Sequence, residues 1–445
     1  MKRYDSYKDS GVQWIGDIPS EWECIRLGML GTFSSSGIDK KSKENETPVR
    51  MVNYTDLIKR RRYYPIQTGD KEYMRVTTPQ SKFEEHKLER GDMVFIPSSE
   101  THEDLGYSSL IDFDEDDIVY SYHILRYKTK KPVFHYFKKY LINHHSILNQ
   151  FSSECKGTTR QIIGRDVFNN VRVVLPPHNE QKQIVSFLDK KTSLIDSLIE
   201  KTQQKIELLK EKRTSLINEV VTKGLNPNVE MKDSGVEWIG EIPKTWSVSK
   251  IMFLSNKVTD GSHHSPEIQD SGKLYVTVSN VSKSNDIDFD SCSKISEESF
   301  SELERNGCKP KKGDVLITKD GTIGRGLVVG EFNEYVILSS IGLIRFSKKI
   351  NPEYGLYYLL SGLNIDQMYS HVRGSGITRL TINLIKNLLF VIPTLYDQQQ
   401  IVEYLDEKTQ KIDKTISIEE KRIELLKEYR QSLISEVVTG KRKVV

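Results

Sequence analysis

Apolar residues recur at alternating steps of three and four in two segments of the chain, one central and one C-terminal. The spacing predicts two long helices, each with a narrow apolar seam. The seam positions are Ile184, Leu188, Ile195, Ile199, Ile206, Leu209, Leu216 and Val220 in the first segment, and Ile401, Leu405, Ile412, Ile416, Ile423, Leu426, Leu433 and Val437 in the second. Polar residues complete the heptads at Thr202 and Arg213, and at Glu419 and Arg430.

Capping signals mark the ends of both helices. Asn179 and Asp397 follow prolines and are predicted N-caps, and Gly224 and Gly440 are predicted to close the C-termini. At about 1.5 Å per residue, forty residues make a rod of roughly 60 Å. Because a helix with one narrow seam must bury it, we predict that the two helices pair. A surface helix lying on its own domain is the alternative.

Two sequence blocks occur twice. KDSGVQWIGDIPSEW at Lys8–Trp22 returns as KDSGVEWIGEIPKTW at Lys232–Trp246, and EQKQIVSFLDKKTSLID at Glu180–Asp196 returns as DQQQIVEYLDEKTQKID at Asp397–Asp413. A period this long indicates duplication of a whole domain-plus-helix module instead of a solenoid. Helices related by the two-fold axis of such a duplication would run antiparallel and could act as a spacer.

The first copy of the tryptophan-containing block begins the chain, whereas the second copy directly follows a long helix. We therefore expect the N-terminus to fold back onto the second helix, which makes the molecule quasi-cyclic. The candidate docking residues are Val12, Trp14, Ile15, Ile18 and Trp22, with equivalents Val236, Trp238, Ile239, Ile242 and Trp246. Ordinary core packing is the alternative interpretation of these residues.

The stretches between the repeated blocks, Leu27–Val174 and Ile251–Ile392, match only in outline. Both show the same order of predicted strands, an aromatic-rich helix and a glycine turn, which indicates an α+β fold. The strands fall within Arg90–Pro97, Tyr120–Tyr127, Lys312–Gly324 and Ser339–Phe346, the helices within Phe134–Asn149 and Glu353–Gln367, and the turns within Gly157–Ile162 and Gly374–Leu380. The predicted divisions are a first domain 1–178 with repeat segment 7–22, a helix 179–224, a second domain 225–396, and a C-terminal helix and tail 397–445.

Composition narrows the functional classes. A formal net charge of +3 over 445 residues excludes a generally basic protein that coats nucleic acid, so any such contact must be local. The four cysteines stand far apart, which favours isolated thiols in a reducing compartment over zinc or redox chemistry. The N-terminus lacks the apolar core of a signal peptide, and no apolar run is long enough to span a membrane. A soluble cytoplasmic protein is expected.

Several enzyme motifs are absent from the sequence. No Asn-Pro-Pro-Tyr or Asp-Pro-Pro-Tyr is present for amino-group methylation, and no G-x-x-x-x-G-K-S/T loop for nucleotide phosphates. The histidine pairs His144–His145 and His263–His264 lack the spacing and carboxylate partner of a zinc site. The glycine-rich Gly321–Gly326 lies between predicted strands and opens no helix, so it does not predict a phosphate site. We predict no catalytic residue, metal or cofactor in this chain.

The DSGV-W-IG-IP-W block, the GDM/GDV strand motif, the glycine and Thr-Arg turn, and the proline entry into a heptad helix follow one another along essentially the whole chain. In this combination the chain resembles the specificity subunit of a type I restriction-modification system. The resemblance implies two tandem pseudo-symmetric target recognition domains, separated by two long helices that pair as an antiparallel coiled coil. It also implies that each domain reads one half of a split DNA target, and that the helices act as a spacer and dock two methyltransferase subunits.

The resemblance implies further partners and no catalytic centre in this subunit. The methyltransferase would bind S-adenosylmethionine and methylate adenine, and a motor-nuclease subunit, in complexes that contain one, would use ATP and magnesium. Two features depart from the family pattern: the first turn, GTTR, lacks the GSG form of the second, and the acidic run Asp112–Asp117 is unusual in a DNA-facing module. We expect the acidic run on the far side of its domain.

Candidate contacts to double-stranded DNA are polar and basic loop residues, because these side chains bind phosphates and base edges. In the first domain they are Lys59, Arg60, Arg61, Arg62, Thr158, Thr159, Arg160 and Gln161, and in the second His263, His264, Lys319, Arg325, Arg373, Thr378 and Arg379. Plain solvation is the alternative for each residue. Arg160 and Arg379 both follow a glycine within a Thr-Arg pair, so we expect them to be equivalent and to contact phosphate.

The sequence thus predicts a DNA specificity subunit with no membrane partner. A coiled-coil scaffold with two protein-binding domains and no DNA specificity is the alternative. A nuclease or methyltransferase in its own right ranks last, because no active-site motif is recognisable.

Overall fold

The computed structural model of the protein describes residues 3–60, 65–70, 72–101, 104–157, 159–282, 285–321, 323–332, 334–370 and 379–444. The chain divides into two compact units, Met1–Gln203 with Lys421–Val445 (unit one) and Gln204–Glu420 (unit two). Unit one is therefore built from both ends of the chain. Each of the two long helices contributes one part of its length to each unit.

Unit one combines a five-stranded sheet of order β4-β12-β8-β10-β6 with a three-stranded sheet of order β11-β5-β7. Its strands are β1 (Tyr7–Asp9), β2 (Asp17–Pro19), β3 (Glu23–Arg26), β4 (Gly31–Ser34), β5 (Thr47–Val52), β6 (Ile66–Gln67), β7 (Met74–Thr78), β8 (Met93–Phe95), β9 (Ser98–Ser99), β10 (Ser108–Ile111), β11 (Ile118–Tyr120), β12 (Leu125–Thr129), β13 (Gln161–Ile162) and β14 (Arg172–Leu175). Its helices are α1 (Leu27–Leu30), α2 (Tyr54–Arg60), α3 (Gln80–His86), α4 (Lys138–Leu141), α5 (His145–Ser152), α6 (Arg165–Asn170), part of α7 (His178–Lys223) and a 3-10 turn at His135–Phe137.

Unit two combines a four-stranded sheet of order β18-β24-β21-β22 with a three-stranded sheet of order β20-β19-β23. Its strands are β15 (Met231–Asp233), β16 (Glu241–Pro243), β17 (Ser247–Lys250), β18 (Ser255–Asp260), β19 (Lys273–Val276), β20 (Ser293–Ile295), β21 (Val315–Thr318), β22 (Gly326–Val328), β23 (Tyr335–Ile337), β24 (Ile341–Phe346) and β25 (Leu389–Ile392). Its helices are α8 (Ile251–Leu254), α9 (Glu297–Arg305), α10 (Pro352–Leu359), α11 (Gly362–Ser370), α12 (Ile382–Asn387), part of α13 (Leu395–Val438) and 3-10 turns at Val278–Asn280 and Phe289–Ser291. Both units are α+β, which confirms the predicted fold class.

The two long helices pair in antiparallel orientation. In unit one, Arg430 Nε lies 2.8 Å from Asp196 Oδ1. In unit two, Arg213 Nε lies 2.9 Å from Asp413 Oδ1, and Lys205 pairs with Glu419. Arg213 and Arg430 occupy equivalent repeat positions, as do Asp196 and Asp413, so each unit contains the same ion pair.

The apolar seam is closed over most of its length. Twelve of its residues are buried: Ile184, Leu188, Ile195, Ile199, Ile206, Val220, Ile401, Leu405, Ile412, Ile423, Leu433 and Val437. Leu209, Leu216, Ile416 and Leu426 are half-buried. No helix in the part of the chain that the structure describes has the length and apolar run needed to cross a membrane.

The helix ends correct part of the sequence interpretation. Helix α13 is capped by Thr394, whose Oγ1 accepts a hydrogen bond from Asp397 N at 3.1 Å, so Asp397 lies inside the first turn and is not the cap. Helix α7 begins at His178, which places Asn179 inside the helix. The predicted C-terminal glycines are confirmed, because Gly224 and Gly440 both have φ +76°.

Equivalent side chains attach each α+β domain to its helix. In unit one, Gln181 Oε1 accepts from Phe134 N at 2.8 Å, and Tyr140 OH donates to Asp189 at 2.6 Å. In unit two, Gln398 Oε1 accepts from Asn351 N at 2.7 Å, and Tyr357 OH donates to Asp406 at 2.6 Å. The same anchors therefore hold domains whose remaining sequences differ.

The N-terminal repeat block docks onto the end of α13, which confirms the predicted closure within unit one. Tyr7 OH donates to Gly440 O at 3.2 Å, and Trp22 Nε1 donates to Glu180 at 3.0 Å. A Cβ at Gly440 would lie 2.2 Å from Pro19, so the contact requires glycine. In unit two, Trp246 Nε1 makes the equivalent bond to Asp397 at 2.9 Å.

The predicted docking residues differ in how deeply they are buried. Those that are buried are Ile15, Ile18, Trp22, Ile239, Ile242 and Trp246, whereas Val12 and Val236 are half-buried. Trp14 and Trp238 keep 46% and 38% of their surface exposed, so neither indole is part of a closed core.

The helices predicted over Phe134–Asn149 and Glu353–Gln367 are each broken in two. In unit one, Asn143 Oδ1 accepts from Ser108 N at 2.9 Å and its Nδ2 donates to Ser108 O at 2.8 Å. This two-bond clamp onto β10 lies at the break between α4 and α5. In unit two, Ser361 Oγ accepts from Asn364 N at 3.3 Å and starts α11 as a new helix.

His144 lies at this break and is fully buried. Its Nδ1 has no hydrogen-bond partner among the described residues, and the neighbouring Ser146 bonds Ser435 of α13 at 3.0 Å. Burial, together with the charge of His145, lowers the pKa of His144 to about 3. The imidazole is therefore neutral in the folded protein at neutral and mildly acidic pH.

Acid should destabilise unit one through His144. The unfolded histidine takes up a proton near pH 6.5 but the folded one does not until far lower pH, so this contribution to stability is lost as the pH falls below about 6.5. Between pH 7 and pH 5 the wild type should lose about 2 kcal/mol more than His144→Leu, which cannot titrate. Urea unfolding at both pH values measures this difference, and equal losses in the two proteins would contradict it.

Candidate nucleic-acid interface

The strand registers of unit two bring several sequence-predicted residues to one edge of its four-stranded sheet. Asp260 pairs with Gly342 and Thr318 with Ile341, so β18 and β21 end where β24 begins. The loops that leave these strands therefore emerge together. We call this surface, with His263, His264, Lys319 and Arg325, the loop edge of unit two.

Lys319, a candidate DNA contact, has a buried side chain. It is 1% exposed, and its Nζ lies 3.3 Å from Asp260 Oδ2 and 3.7 Å from Asp320 Oδ1. Its main chain is fixed as well, because Lys319 N donates to Ser340 O at 3.0 Å and Lys319 O accepts from Leu380 N at 2.8 Å. The two carboxylates hold the ammonium group beneath the loop edge.

The other described residues of this edge are accessible. His263 and His264 are exposed, and His263 Nε2 lies 3.2 Å from Asp260 Oδ1. Arg325 is half-buried and its Nη1 donates to Val281 O at 2.9 Å. Arg379 joins the edge through an isolated antiparallel bridge to Asp320, and its side chain is 54% exposed.

Unit one has an equivalent loop edge. Ser34 pairs with Arg126, and Phe95 pairs with both Leu125 and Ser108. Strands β4, β12, β8 and β10 thus stand in the same order as β18, β24, β21 and β22. Strand β13 pairs with β9 beside this edge, which brings Gln161 to it, with exposed Thr159 and Arg160 just before.

Sequence reasoning missed Tyr122, His123 and Lys40 on the loop edge of unit one. The predicted strand Tyr120–Tyr127 is interrupted between β11 and β12, where the Tyr122 and His123 rings lie 3.8 Å apart and Tyr122 is 47% exposed. Burial, helped by the charges of Arg160 and Lys40, lowers the pKa of His123. The apolar residues on both sides of the break alternate as in a continuous strand, so the sequence did not indicate a break. The adjacent Tyr122 and His123 could have indicated exposed side chains at this place.

The acidic run lies at the opposite end of the same sheet. It follows the last residue of β10, whereas the loop edge precedes its first, in agreement with the expected far-side position. Arg50 bonds both oxygens of Asp117, and Lys87 lies 2.7 Å from Asp116. The Arg50 guanidinium holds the pKa of Asp117 below its usual range. These carboxylates are therefore partly neutralised within their own domain.

Arg160 and Arg379 are not equivalent, contrary to the sequence interpretation. Ile163 N donates to Pro97 O at 2.8 Å, just as Leu380 N donates to Lys319 O at 2.8 Å. Pro97 and Lys319 stand at the same distance from the Gly-Asp motif of their domains, so they are equivalent. Their partners Ile163 and Leu380 are then equivalent as well, and Arg379, one residue before Leu380, corresponds to Ile162. The Thr-Arg pair was a misleading marker, because Arg160 is three residues after Gly157 whereas Arg379 is five residues after Gly374.

The remaining candidates lie wholly or partly outside the described residues. Lys59 and Arg60 end helix α2, but their side chains are not described. Outside the described residues lie Arg61, Arg62, Thr158, Arg373 and Thr378. Contact with DNA remains a prediction for every residue named.

Comparison with known proteins gives one consistent result. A model of the type I restriction modification DNA specificity domain matches residues 19–208 and again 243–428. The chain is 24% identical over 298 residues to the type I restriction enzyme MjaVIII specificity subunit of Methanocaldococcus jannaschii, covering 66% of this chain and 67% of that protein. It is 24% identical over 278 residues to the EcoBI specificity subunit of Escherichia coli, covering 58% and 56%.

Two solved structures share the fold. One comes from work on complex assembly and conformational transition of the type I R-M system, with a TM-score of 0.69 and 16% identity over 95% of this chain and 98% of the other. The other is the HsdS subunit from Thermoanaerobacter tengcongensis, with a TM-score of 0.51 and 17% identity over 96% and 98%. At these identities the likeness concerns the fold alone. Since the family model matches twice and covers most of the chain, the chain belongs to the type I restriction-modification DNA specificity family.

Proposed function

We propose that this chain is the DNA sequence-specificity subunit of a type I restriction-modification complex and that it recognises a bipartite target, one unit per half-site. The observation that carries the proposal is the pair of loop edges, which have the same strand order but different residues. The two loop edges share their strand order but carry different side chains. Such a pair suits a DNA target whose two halves differ in sequence.

The chemistry of both edges suits duplex DNA. Lys40 and Arg160 in unit one supply cations for phosphates, and Gln161 can pair with an adenine edge. Unit two offers exposed His263, His264 and Arg379 at the corresponding place. Because the chain is nearly neutral overall, such local groups must carry the interaction.

The proposal assigns the chemical steps to partners. The methyltransferase subunits bind S-adenosylmethionine and methylate adenine, and a motor-nuclease subunit, in a complex that contains one, uses ATP and magnesium. This chain then acts in the cytoplasm beside its DNA, binds double-stranded DNA and protein, and needs no cofactor or catalytic residue of its own.

Two equivalent clefts support the binding of a partner in two copies. In unit one, a cleft of 530 Å³ is lined by Trp14, Gln150, Ser153 and Asn170 among others. In unit two, a cleft of 490 Å³ is lined by Trp238, Gln367, Ser370 and Asn387 among others. The same four residue types recur although the surrounding domains have diverged.

The glutamines show that the clefts are equivalent. Gln150 bonds both main-chain groups of Arg172 at 3.0 Å, and Gln367 bonds both main-chain groups of Leu389 at 2.9 and 3.4 Å. Exposed tryptophans beside polar groups are typical of anchoring positions in protein interfaces. Each cleft accordingly docks one methyltransferase subunit through an apolar side chain.

Removal of the indoles should lower the number of bound methyltransferase subunits. Trp14→Ala and Trp238→Ala should each weaken one of two sites by roughly thirtyfold, and the double variant should weaken both. Native mass spectrometry of the complex counts the subunits. Tyr396→Ala is the control, because Tyr396 is 73% exposed but its counterpart in the first copy is Asn179. Full occupancy in the double variant would contradict this docking site.

Methylome sequencing tests the proposed function directly. In a methyl-free host, this chain expressed with its companion methyltransferase should produce one split, adenine-methylated motif. Either protein alone should produce none, because one supplies specificity and the other chemistry. An unmethylated genome with both proteins present and folded would favour the scaffold interpretation.

The helix pair should set the gap between half-sites. We consider the insertion of one heptad into each helix. The insertion in α7 is at Lys205, within Lys201–Arg213, and the insertion in α13 is at its partner Glu419. Each helix then becomes about 10 Å longer. The tolerated gap should then grow by about three base pairs. Insertion into one helix alone is the control, and it should disrupt the packing of the two helices because their seams lose register. A methylated motif with an unchanged gap after the double insertion would rule out the spacer role.

A further inference from the structure

Within the described part of the unit-two loop edge, the guanidinium of Arg379 lies beside an acid and remains accessible. Its Nε lies 3.3 Å from Asp320 Oδ1, and its side chain is 54% exposed. Asp320 Oδ1 is buried and has no hydrogen bond of good geometry among the described residues, so the contact is a close ion pair and not a directed bond. The guanidinium N–H groups therefore remain available to a ligand.

The surroundings hold the main chain of Arg379 and its acidic neighbour in place. Asp320 is flanked by Lys319, which is buried against Asp260. The backbone bridge between Asp320 and Arg379, and the bond from Leu380 N to Lys319 O at 2.8 Å, attach the Arg379 segment to the end of β21. Holding a long side chain in place before binding lowers the entropy lost when it binds.

The charge of this cluster distinguishes a base from a phosphate. Two carboxylates, Asp260 and Asp320, face two cations, Lys319 and Arg379, so their formal charges cancel. Cancellation weakens the long-range attraction to phosphate but leaves directional hydrogen bonding intact. The planar fork of arginine matches the O6 and N7 acceptors that guanine presents in the major groove.

The ion pair between Arg379 and Asp320 has no counterpart at the equivalent described positions of unit one. The strand pairing makes Ile162 the counterpart of Arg379 and Ser98 the counterpart of Asp320, and neither is charged. Arg379 is thus not part of the frame that both domains share, which removes the reason to expect a phosphate contact. A residue that differs between two otherwise equivalent edges is suited to choosing a base.

We propose that Arg379 reads a guanine in the half-site bound by unit two, with Asp320 and buried Lys319 as its positioning residues. The inference rests on the proposed function and adds a base identity to it.

The test compares methylomes and duplex binding of the wild type, Arg379→Ala and Asp320→Asn in complex with the companion methyltransferase. The half-site of unit two is identified as the half that persists when Leu27–Val174 is exchanged for another recognition domain. That half should contain a guanine in the wild type. Arg379→Ala should make this one position degenerate, lowering the preference for guanine by roughly tenfold or more, and leave the other half unchanged. Asp320→Asn, which keeps the size of the side chain and removes its charge, should lower the preference for guanine less.

The salt dependence separates a base contact from a phosphate contact. Loss of a base contact should leave the slope of log affinity against log salt unchanged, whereas loss of a phosphate contact should reduce it by about one. Arg305→Ala, which removes an exposed arginine of helix α9, is the matched control and should alter neither the motif nor the preference.

Each outcome decides the inference. A unit-two half-site without guanine, an unchanged motif in Arg379→Ala, or a uniform weakening with a reduced salt slope overturns it while the proposed function stands. Absence of any split motif from the wild-type complex overturns the proposed function, and the inference with it.

Discussion

Burial of one apolar seam between two long helices is the constraint on which both units depend. A helix of this length is not stable in water with its stripe exposed, and each unit contains a stretch of both helices that supplies the burial. The ion pairs Arg430–Asp196 and Arg213–Asp413 fix the same register in each unit. Gln181 and Gln398 then attach each α+β domain to its own helix. The duplicated frame therefore fixes how each sheet is held, and leaves its loops free to differ.

The two loop edges use charge in different ways. In unit one the positive charges of Arg160 and Lys40 act on His123, beside the exposed ring of Tyr122. In unit two the cations are matched by carboxylates at short range, and Lys319 is wholly buried. In the proposed function, the first arrangement favours attraction to phosphate and the second favours directional bonds, so equivalent surfaces contribute unequally to affinity and to selection.

The sequence was informative where a pattern has one structural solution. Heptad spacing and the duplication predicted the helix pair, its direction and the closure of the N-terminus, because burial of a periodic stripe leaves few alternatives. Side chains that bind the backbone were not predictable, since the two bonds of Asn143 to Ser108, at the break between α4 and α5, join residues that are distant in sequence. The same holds for the site: burial of Lys319 depends on Asp260, which is distant in sequence, and the position of Arg379 depends on strand pairing instead of on its distance from a glycine.

The construction of unit one from both ends of the chain has a consequence for synthesis on the ribosome. Unit two is continuous, so all of its residues are available once Glu420 has emerged. Unit one, although most of it is made first, lacks the last part of α13 and the Gly440 contact with Tyr7 until Gly440 has emerged as well. Until then, the apolar seam of α7 in unit one is not covered by α13. A stop codon placed between the codons for Glu420 and Gly440 would therefore damage unit one more than unit two.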